Sequence, residues 1–429
     1  ISAAPLPILL ALRQVGRSRE QYAGPLLLIV LTLGMACLIA TTAKTLDHAL
    51  TDQVYYEVGA DARVREAGEL TEDAGPSVLA PPGQFSSSAP AQYPRFLPVS
   101  EHLSIAGVRA ATRLATYGGA VRLAGREVRA SITGIDRASY PGVGFFRPDF
   151  SPDSLGALLN RLALTDQAAL ISSADMRRYN LRVGDPLDVE LYIAGVARVA
   201  MPLTVAGVTD LFPTVYPVEG AIFVVTNLDY MFERMGGEYA YDVLMRTQPG
   251  TAAADIAASL VRMGIDVRLV KDARAMIAAE QTVPERQGIL GLLSLGFLAS
   301  ALLSVLGYLF HTLLAFERRA VEFGVLRAIG LSQRQMAAYL GVEQALLITV
   351  SVGAGTAIGV LASMLFIPFF QVRSGAHAQV PPFTVSVAWT DLAAVYIVFG
   401  AMLLAAIAGL VWRLQHLRLA TAIKMGETV

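Results

Sequence analysis

The sequence predicts an α-helical membrane protein with four transmembrane helices and a large α+β extracytoplasmic domain inserted between helices 1 and 2. The first observation is composition: 54% of the 429 residues are hydrophobic, 16% are charged, and the mean hydropathy is +0.51. An ordinary soluble enzyme has more polar surface than this. The second is that four uncharged runs are each long enough to cross a bilayer. The third is that residues 44–286, which separate the first run from the others, have a mixed α and β pattern.

Charge and cysteine content exclude several functional classes. The 34 basic and 35 acidic residues nearly cancel, so no basic excess is present to neutralise phosphates and we expect no nucleic-acid partner. Neither Lys44, Lys271 nor Lys424 stands in a Walker A sequence, so we expect no P-loop on this chain. The single Cys37 cannot form an intrachain disulfide. We expect no metal, no cofactor and no catalytic residue on this chain, because the five histidines are too scattered for a metal motif: His48, His102, His311, His377 and His416.

The N-terminal residues lead into the first transmembrane helix. Residues 1–20 are predicted to form a cytoplasmic amphipathic leader helix, because apolar residues recur at helical spacing while Arg13 and Arg17 lie off that face. Residues 21–43 contain no acidic or basic side chain and are predicted to form transmembrane helix 1.

Residues 44–286 are predicted to form the extracytoplasmic α+β domain, and two lobes are an open alternative. Glycine, proline and aspartate turn signals separate its β-like runs, which are residues 61–65, 128–133, 187–192, 202–207 and 221–225. Helical patterns cover residues 173–179 and 252–263. Residues 71–100 are rich in Pro, Ser, Gly and Ala without an apolar period, which predicts a flexible loop or lobe linker.

Five aspartates of this domain invite a carboxylate-pair hypothesis: Asp136, Asp149, Asp153, Asp166 and Asp175. No histidine, serine or second carboxylate stands at the spacing of a known hydrolase, and aspartate beside proline or glycine is typical of turns. We therefore interpret these residues as structural.

Three further spans follow the domain. Residues 287–316 are predicted to form transmembrane helix 2 with a stalk, because 30 uncharged residues make roughly 45 Å of helix, about 15 Å more than the hydrocarbon needs. Tilt of the helix is the alternative. Residues 336–372 contain transmembrane helix 3, residues 373–391 the external loop, residues 392–412 transmembrane helix 4 and residues 413–429 the cytoplasmic tail.

Basic residues near the span ends predict the orientation. They precede span one, fill the loop between spans two and three, and follow span four: Arg13, Arg17, Arg19, Arg318, Arg319, Arg327, Arg334, Arg413, Arg418 and Lys424. The loop between spans three and four has only Arg373. Both termini are thus predicted to be cytoplasmic, with the chain as a multi-pass protein of the plasma or inner membrane.

Residues 317–335 are predicted to form a short cytoplasmic amphipathic helix. An apolar stripe of Val321, Val325, Leu326 and Ile329 lies mostly apart from the charged residues. Gly330 is placed to end this helix, and Ser332 with Gln335 is a capping box that begins the next. A solvated loop explains the arginines, but the apolar stripe needs lipid headgroups or a partner protein to cover it, and we favour the partner.

Small residues at four-residue spacing predict close helix packing, within the chain or in a dimer. They are Gly355 and Gly359 in span three and Ala401, Ala405 and Gly409 in span four. Glu343 is expected at the membrane interface near the start of span three, and no other charged residue lies inside a span. This pattern argues against an ion pathway through the bilayer.

The layout of spans, together with EFGVLRAIGLSQRQ at residues 322–335, resembles the FtsX-like or MacB-like permease family of ABC transporters. Further matching pieces are YEVGAD at 56–61, LRVGDP at 181–186, VAGVTDLFP at 205–213 and the C-terminal residues 417–427. The resemblance implies a MacB periplasmic-core-like external domain and a coupling helix that docks on a separate ATPase, which binds ATP and Mg²⁺. The implied coupling residues are Arg318, Arg319, Glu322, Phe323, Gly324, Val325, Leu326, Arg327, Ile329 and Gly330.

The function implied by the resemblance is that of a permease subunit, which is not itself an enzyme. ATP hydrolysis on the partner would move the external domain, for export or extraction of a lipid, lipoprotein, peptide or drug, or for mechanotransmission. A second permease unit is expected as a homodimer partner, a paralogue or the other half of a larger chain. The start at Ile1 is consistent with the C-terminal four-span repeat of a larger permease. The alternative is a membrane-anchored extracytoplasmic ligand sensor that needs no ATPase.

Overall fold

The computed structural model describes residues 19–68, 96–123, 125–193, 198–218, 220–318, 330, 332–370 and 380–416. Its α-helices are α1 Arg19–Val58, α2 Val99–His102, α3 Leu155–Leu162, α4 Ser173–Tyr179, α5 Leu228–Met235, α6 Ala253–Arg262, α7 Ala273–Gln281, α8 Pro284–Arg318, α9 Gln333–Phe366 and α10 Trp389–His416. Its strands are β1 Ala62–Glu66, β2 Val108–Leu123, β3 Arg126–Ile135, β4 Ala168–Ile171, β5 Pro186–Leu191, β6 Val199–Val208, β7 Ile222–Asn227, β8 Asp242–Thr247 and β9 Val267–Asp272. Short 3₁₀ helices occupy Tyr140–Gly142, Pro148–Phe150 and Ile367–Phe370.

The chain divides into two compact units. The helical unit comprises residues 1–49, 283–372 and 383–429, and the α/β domain comprises residues 50–282 and 373–382. Helix α1 supplies residues to both units. It extends 15 residues beyond the predicted span 21–43, because apolar character marks only the part suited to a membrane, whereas the helix ends at Gly59 with a φ of +88°.

The α/β domain is built on a nine-stranded sheet whose strand order is β3-β7-β4-β6-β5-β2-β8-β1-β9, with β3 also paired to β2. The second pairing of β3 closes six strands into a ring, because β2 pairs with β3 on one edge and with β5 on the other. The first half of β2 pairs with β8 instead, and β1 and β9 continue the sheet from there. The α+β prediction therefore holds for this domain.

Buried residues on both sides of the sheet form its core. One cluster takes residues from all six ring strands, including Ile132, Val189 and Leu203. The other includes Leu158 of α3 and Phe212, and lies against the opposite side of β4 and β7. Every residue of β4 and β7 is buried, which is why these strands show no alternation of polar and apolar residues.

Two helices in the described part of the chain are long and apolar enough to cross a membrane, over Leu26–Val58 and Gly341–Phe366. Shorter apolar stretches cover Gln287–Ser300 in α8 and Trp389–Val398 in α10. The predicted spans 287–316 and 392–412 lie within these two helices. Four membrane crossings therefore stay a prediction.

Candidate functional site

The last turn of α1 is fixed in the α/β domain by Tyr56. Its side chain is fully buried, its hydroxyl donates to the carbonyl oxygen of Val215, and its ring packs edge-on against Phe150 with centroids 5.6 Å apart. The amide of Thr214 donates to the carbonyl oxygen of Tyr56 at 2.7 Å. Carbonyls in the last turn of a helix have no partner inside the helix. The domain therefore supplies the hydrogen bond that this turn lacks.

Gly59 ends α1 in a conformation that only glycine adopts without strain. Its φ is +88°, and its amide donates to the carbonyl oxygen of Tyr55 at 2.8 Å. A Cβ added at this position would lie 2.9 Å from Cγ2 of Thr214. Its carbonyl oxygen accepts a hydrogen bond from the amide of Phe145 at 2.8 Å. Both the turn and the close approach of the segment that contains Thr214 therefore require glycine here.

Asp61 joins the ends of three elements. Its carboxylate accepts hydrogen bonds from the Thr247 amide at 2.9 Å and the Tyr55 hydroxyl at 3.1 Å, and it pairs with Arg274 at 3.5 Å. Its carbonyl oxygen accepts from the Ala273 amide at 2.9 Å. The segment YEVGAD, quoted for the family resemblance, therefore connects α1 to β8 and to the start of α7.

Helices α1 and α7 also share an apolar contact within the α/β domain. Ala273 is fully buried against residues from the end of α1, and two partly buried residues of α7 extend the cluster. Its members are Leu50, Val54, Val58 and Ala273, with Tyr55, Met276 and Ile277 packed against them. Helix α7 is followed, after Thr282 and Val283, by the long helix α8. The domain thus holds the end of one long helix and the element that precedes another.

Arg147 joins three segments of the α/β domain. Its Nη1 donates to Asp52 of α1 at 2.6 Å, its Nε donates to Asp149 at 2.8 Å, and its Nη2 donates to the carbonyl oxygen of Pro382 at 3.0 Å. The guanidinium lies over the ring of Phe150, 5.2 Å from the centroid, and the side chain is 11% exposed. Arginine suits this position because its planar group carries five N–H donors.

Arg147, Asp52, Asp149, Phe150 and Pro382 are called the Arg147 cluster here, and its electrostatics follow from these contacts. Hydrogen bonds from Arg147 lower the pKa of Asp149 below its ordinary value, because they stabilise the ionised carboxylate. Arg147 was not predicted as a site residue, since nothing in the local sequence FFRPDF marks it for a role. Asp149 was considered only as a member of a carboxylate pair.

The other four aspartates considered for catalysis also have structural contacts. Asp136, Asp153 and Asp166 each pair with an arginine, and Asp175 accepts a hydrogen bond from the hydroxyl of Ser172 at 2.7 Å. In the described ranges, no group of three or more His, Cys, Asp or Glu residues is placed to hold a metal ion. These aspartates therefore act in turns, caps and ion pairs.

The segment VAGVTDLFP connects the sheet to the Arg147 cluster. The amides of Asp210 and Leu211 both donate to the carbonyl oxygen of Phe150, at 2.8 and 3.1 Å. The Thr209 hydroxyl donates to the carbonyl oxygen of Leu211 at 2.8 Å, and Phe212 is buried in the core. The segment LRVGDP forms a turn in which Gly184 has a φ of +99°.

Most of the predicted coupling helix lies outside the described residues. This holds for residues 319–329, and thus for Arg319, Glu322, Phe323, Gly324, Val325, Leu326, Arg327 and Ile329. Arg318 is the last residue of α8, and Gly330 has a φ of +103°. The predicted capping box is confirmed: the Ser332 hydroxyl accepts from the Gln335 amide at 3.3 Å, and the Gln335 side chain accepts from the Ser332 amide at 3.0 Å.

The small residues of α9 face α1 inside the helical unit. A Cβ added at Gly359 would lie 2.6 Å from Cβ of Cys37 and 2.7 Å from the carbonyl oxygen of Gly34. A Cβ added at Gly355 would lie 3.0 Å from the carbonyl oxygen of Val30. The close approach therefore occurs within the chain.

Two other sequence features of the helical unit stay predictions. Ala401, Ala405 and Gly409 are exposed, and a Cβ at Gly409 would meet no heavy atom of the described residues within 4 Å. Glu343 is 2% exposed, and its level at the membrane interface near the start of span three stays a prediction.

The sequence of the C-terminal part matches a known family. Residues 294–418 match the family described as FtsX-like permease C-terminal, which confirms the resemblance predicted from residues 322–335. No curated protein sequence matches the chain.

Two solved structures are similar to parts of this chain. The periplasmic region of MacB from Actinobacillus actinomycetemcomitans is 9% identical, and the alignment covers 53% of this chain and 95% of that one with a TM-score of 0.31. The extracellular domain of the noncanonic ABC-type transporter YknZ from Gram-positive bacteria is 14% identical, with 48% and 100% covered and a TM-score of 0.29.

Proposed function

We propose, from the premise that residues 294–418 are an FtsX-like permease C-terminal region, that the chain is the permease subunit of an ABC transporter. The family match is the observation that carries this proposal. Hydrolysis of ATP takes place on a separate ATPase subunit, which binds ATP and Mg²⁺, and this chain is not itself catalytic. The chain is a multi-pass protein of the cell membrane with an extracytoplasmic α/β domain, and it pairs with a second permease unit.

The ATPase docks on the segment between α8 and α9. Support comes from its apolar stripe, Val321, Val325, Leu326 and Ile329, which requires a cover, and from the basic residues beside it. Gly330 and the capping box at Ser332 delimit the segment on the side of α9. The docking residues proposed here are those of the predicted coupling helix, residues 318–330.

Nucleotide-driven movement reaches the α/β domain through the helices attached to it. Helix α1 is a single helix of 40 residues, so the predicted span 21–43 and the turn held by Tyr56 belong to one element. An α-helix is stiff along its axis because every turn is hydrogen-bonded to the next. Helix α7, which precedes α8, is a second attachment, and the hydrogen bond from Arg147 to the carbonyl oxygen of Pro382, before α10, is a third. Displacing these segments together moves the domain, which is the step proposed for transport or mechanotransmission.

The experiment is purification of the complex from native membranes in mild detergent, followed by mass spectrometry and an ATPase assay. Arg327→Glu reverses a charge on the proposed docking segment, and Gly324→Trp adds bulk there. Arg109→Glu, an exposed charge of the α/β domain, is the matched control. We expect an ATPase to co-purify with the wild type and the control, and its association or activity to fall at least about tenfold in both docking variants.

Two outcomes would contradict the proposed function. Unchanged ATPase binding and activity in both docking variants would refute the docking segment. Recovery of a stable oligomer without any ATPase, together with ligand binding that ignores nucleotide, would favour the sensor alternative instead.

A further inference from the structure

A cavity of about 610 Å³ lies within the helical unit, between residues of α1, α8 and α10. Four of its lining residues carry ionisable side chains, namely Lys44, Asp47, His48 and Asp391. Most of the others are apolar. A cavity of this volume with a few convergent polar groups is the usual form of a small-molecule site.

The polar and apolar parts of the cavity are ordered along the predicted spans. Lys44 follows the uncharged run 21–43, and Asp391 directly precedes the run 392–412. Ile39 and Leu298 line the cavity from inside the apolar runs. The cavity therefore has charged groups at the level where the spans meet water and an apolar wall at hydrocarbon depth. This order matches an amphiphile.

Lys44 is the cationic group available to a ligand. Within the described residues, its Nζ lies 3.5 Å from the carbonyl oxygen of Val387. That distance is beyond the usual range of a hydrogen bond from nitrogen to oxygen, and an ammonium carries three donors. The Lys44 ammonium can therefore bind a phosphate oxygen without giving up a strong internal bond.

The carboxylates of the same cavity select the charge of the ligand. The lining holds two carboxylates, those of Asp47 and Asp391, beside Lys44. A purely anionic headgroup would face two carboxylates, which costs binding energy. A headgroup with a phosphate and a primary ammonium matches both signs, and a primary ammonium, unlike a quaternary one, can donate hydrogen bonds to the carboxylates.

We propose that this cavity binds phosphatidylethanolamine, with the phosphate on Lys44, the ammonium on Asp391, and an acyl chain along the wall that includes Leu298. The proposal rests on the proposed permease function and names the chemical class of its cargo.

The test measures lipid bound to the full-length chain, purified in detergent without ATPase or nucleotide. The protein is incubated with equimolar phosphatidylethanolamine, phosphatidylglycerol and phosphatidylcholine of identical acyl chains, and retained lipid is counted by native mass spectrometry. We expect phosphatidylethanolamine to be enriched, and Lys44→Gln to lower its retention roughly tenfold, the effect of one charged hydrogen bond. Asp391→Asn should reduce the preference for phosphatidylethanolamine over phosphatidylcholine.

Matched controls remove similar charges elsewhere. Arg109→Gln and Glu280→Gln, both exposed residues of the α/β domain, should leave lipid retention unchanged. Leu298→Trp fills the cavity from an exposed position and should block binding even if Lys44→Gln fails to fold. Water-soluble glycerophosphoethanolamine should not compete at equal concentration, because it lacks the acyl chain; full competition would assign the site to a soluble phosphate ester.

Equal retention of the three lipids, or retention by Lys44→Gln and Leu298→Trp at the wild-type level, would overturn the proposal. Failure of the proposed permease function can be distinguished from failure of the lipid site. Lipid binding that depends on Lys44 in a chain that couples to no ATPase would keep the site and refute the transporter. If Arg327→Glu lowers ATPase association or activity while lipid binding is unselective, the transporter is kept and the lipid site is refuted.

Discussion

Arg147 and Asp52 are 95 residues apart in sequence, yet Nη1 of Arg147 donates to Oδ2 of Asp52 at 2.6 Å. Asp52 lies on α1, and the same guanidinium also binds the carbonyl oxygen of Pro382, seven residues before α10 begins. Two segments of the α/β domain that adjoin long helices therefore share one cation. The arrangement therefore stabilises these two segments relative to each other within the domain.

Replacement of Arg147 by glutamine should lower stability in a pH-dependent way. The variant loses a charge-assisted bond to the partly buried Asp52, worth about 1.5–3 kcal/mol, and one to the exposed Asp149, worth about 1 kcal/mol or less. We expect the unfolding temperature at pH 7 to fall by at least about 4 °C. Circular dichroism of the full chain in detergent measures it.

The sign of the pH effect follows from Asp149. Its pKa is lowered in the folded protein, so its contribution is present above the unfolded value of about 4 and is lost as pH falls through the folded value. The difference between wild type and Arg147→Gln should therefore be largest at neutral pH and shrink in acid. Arg109→Gln is the control, and a difference that grows below pH 4 would contradict this assignment.

Gly59→Ala should destabilise the end of α1 more than an ordinary glycine replacement. Alanine is strained at the φ of +88°, and its Cβ would also lie 2.9 Å from Cγ2 of Thr214. Gly125→Ala is the matched control, because its φ is +76° and a Cβ there meets no described atom within 4 Å. Backbone strain alone costs about 1–2 kcal/mol. Chemical denaturation should show a larger loss at Gly59, and equal losses would mean that the Thr214 contact relaxes freely.

The buried contact between Glu66 and His102 should be costly to break. Oε1 of Glu66 on β1 lies 2.8 Å from Nε2 of His102, Oε2 accepts the Leu97 amide at 3.0 Å, and both side chains are at most 2% exposed. Glu66→Ala leaves the His102 ring nitrogen and the Leu97 amide without their partner, at a cost of about 1–3 kcal/mol for each buried group. Glu190→Ala removes surface pairs with Arg122 and Arg198 and should cost less, about 1 kcal/mol. Similar unfolding midpoints for the two variants would refute the role of the buried pair.

Local patterns located helix α4 and five strands of the sheet. Helix α4 was predicted at residues 173–179, and all five predicted strands overlap β1, β3, β5, β6 and β7. The strand β2 was missed because Gly118 and Gly119 resemble a turn. The structure needs glycine there for another reason, since a Cβ at Gly119 would collide with the carbonyl of Glu190 on β5.

The Arg147 cluster could not be predicted from the sequence for a different reason. Its contacts join residues 52, 147 and 382, which no local pattern links. The motif YEVGAD was quoted only for the family resemblance, and the helix end at Gly59 was not predicted, because the apolar run stops at residue 43. The family resemblance was carried by residues 322–335, where the sequence alone was informative.

Gly359→Val should separate α1 from α9, and Cys37 provides the readout. A side chain at residue 359 would meet Cβ of Cys37 at 2.6 Å and the backbone of Gly34 at 2.7 Å, so the helices must move apart. Cys37 is the single cysteine of the chain and is fully buried. A small uncharged maleimide should therefore label Gly359→Val but not the wild type. Gly353→Val introduces the same β-branched residue in the same helix where a Cβ meets nothing within 4 Å, and it should remain unlabelled. Labelling of both variants would indicate general loosening of α9, and labelling of neither would show that the α1–α9 contact tolerates a side chain.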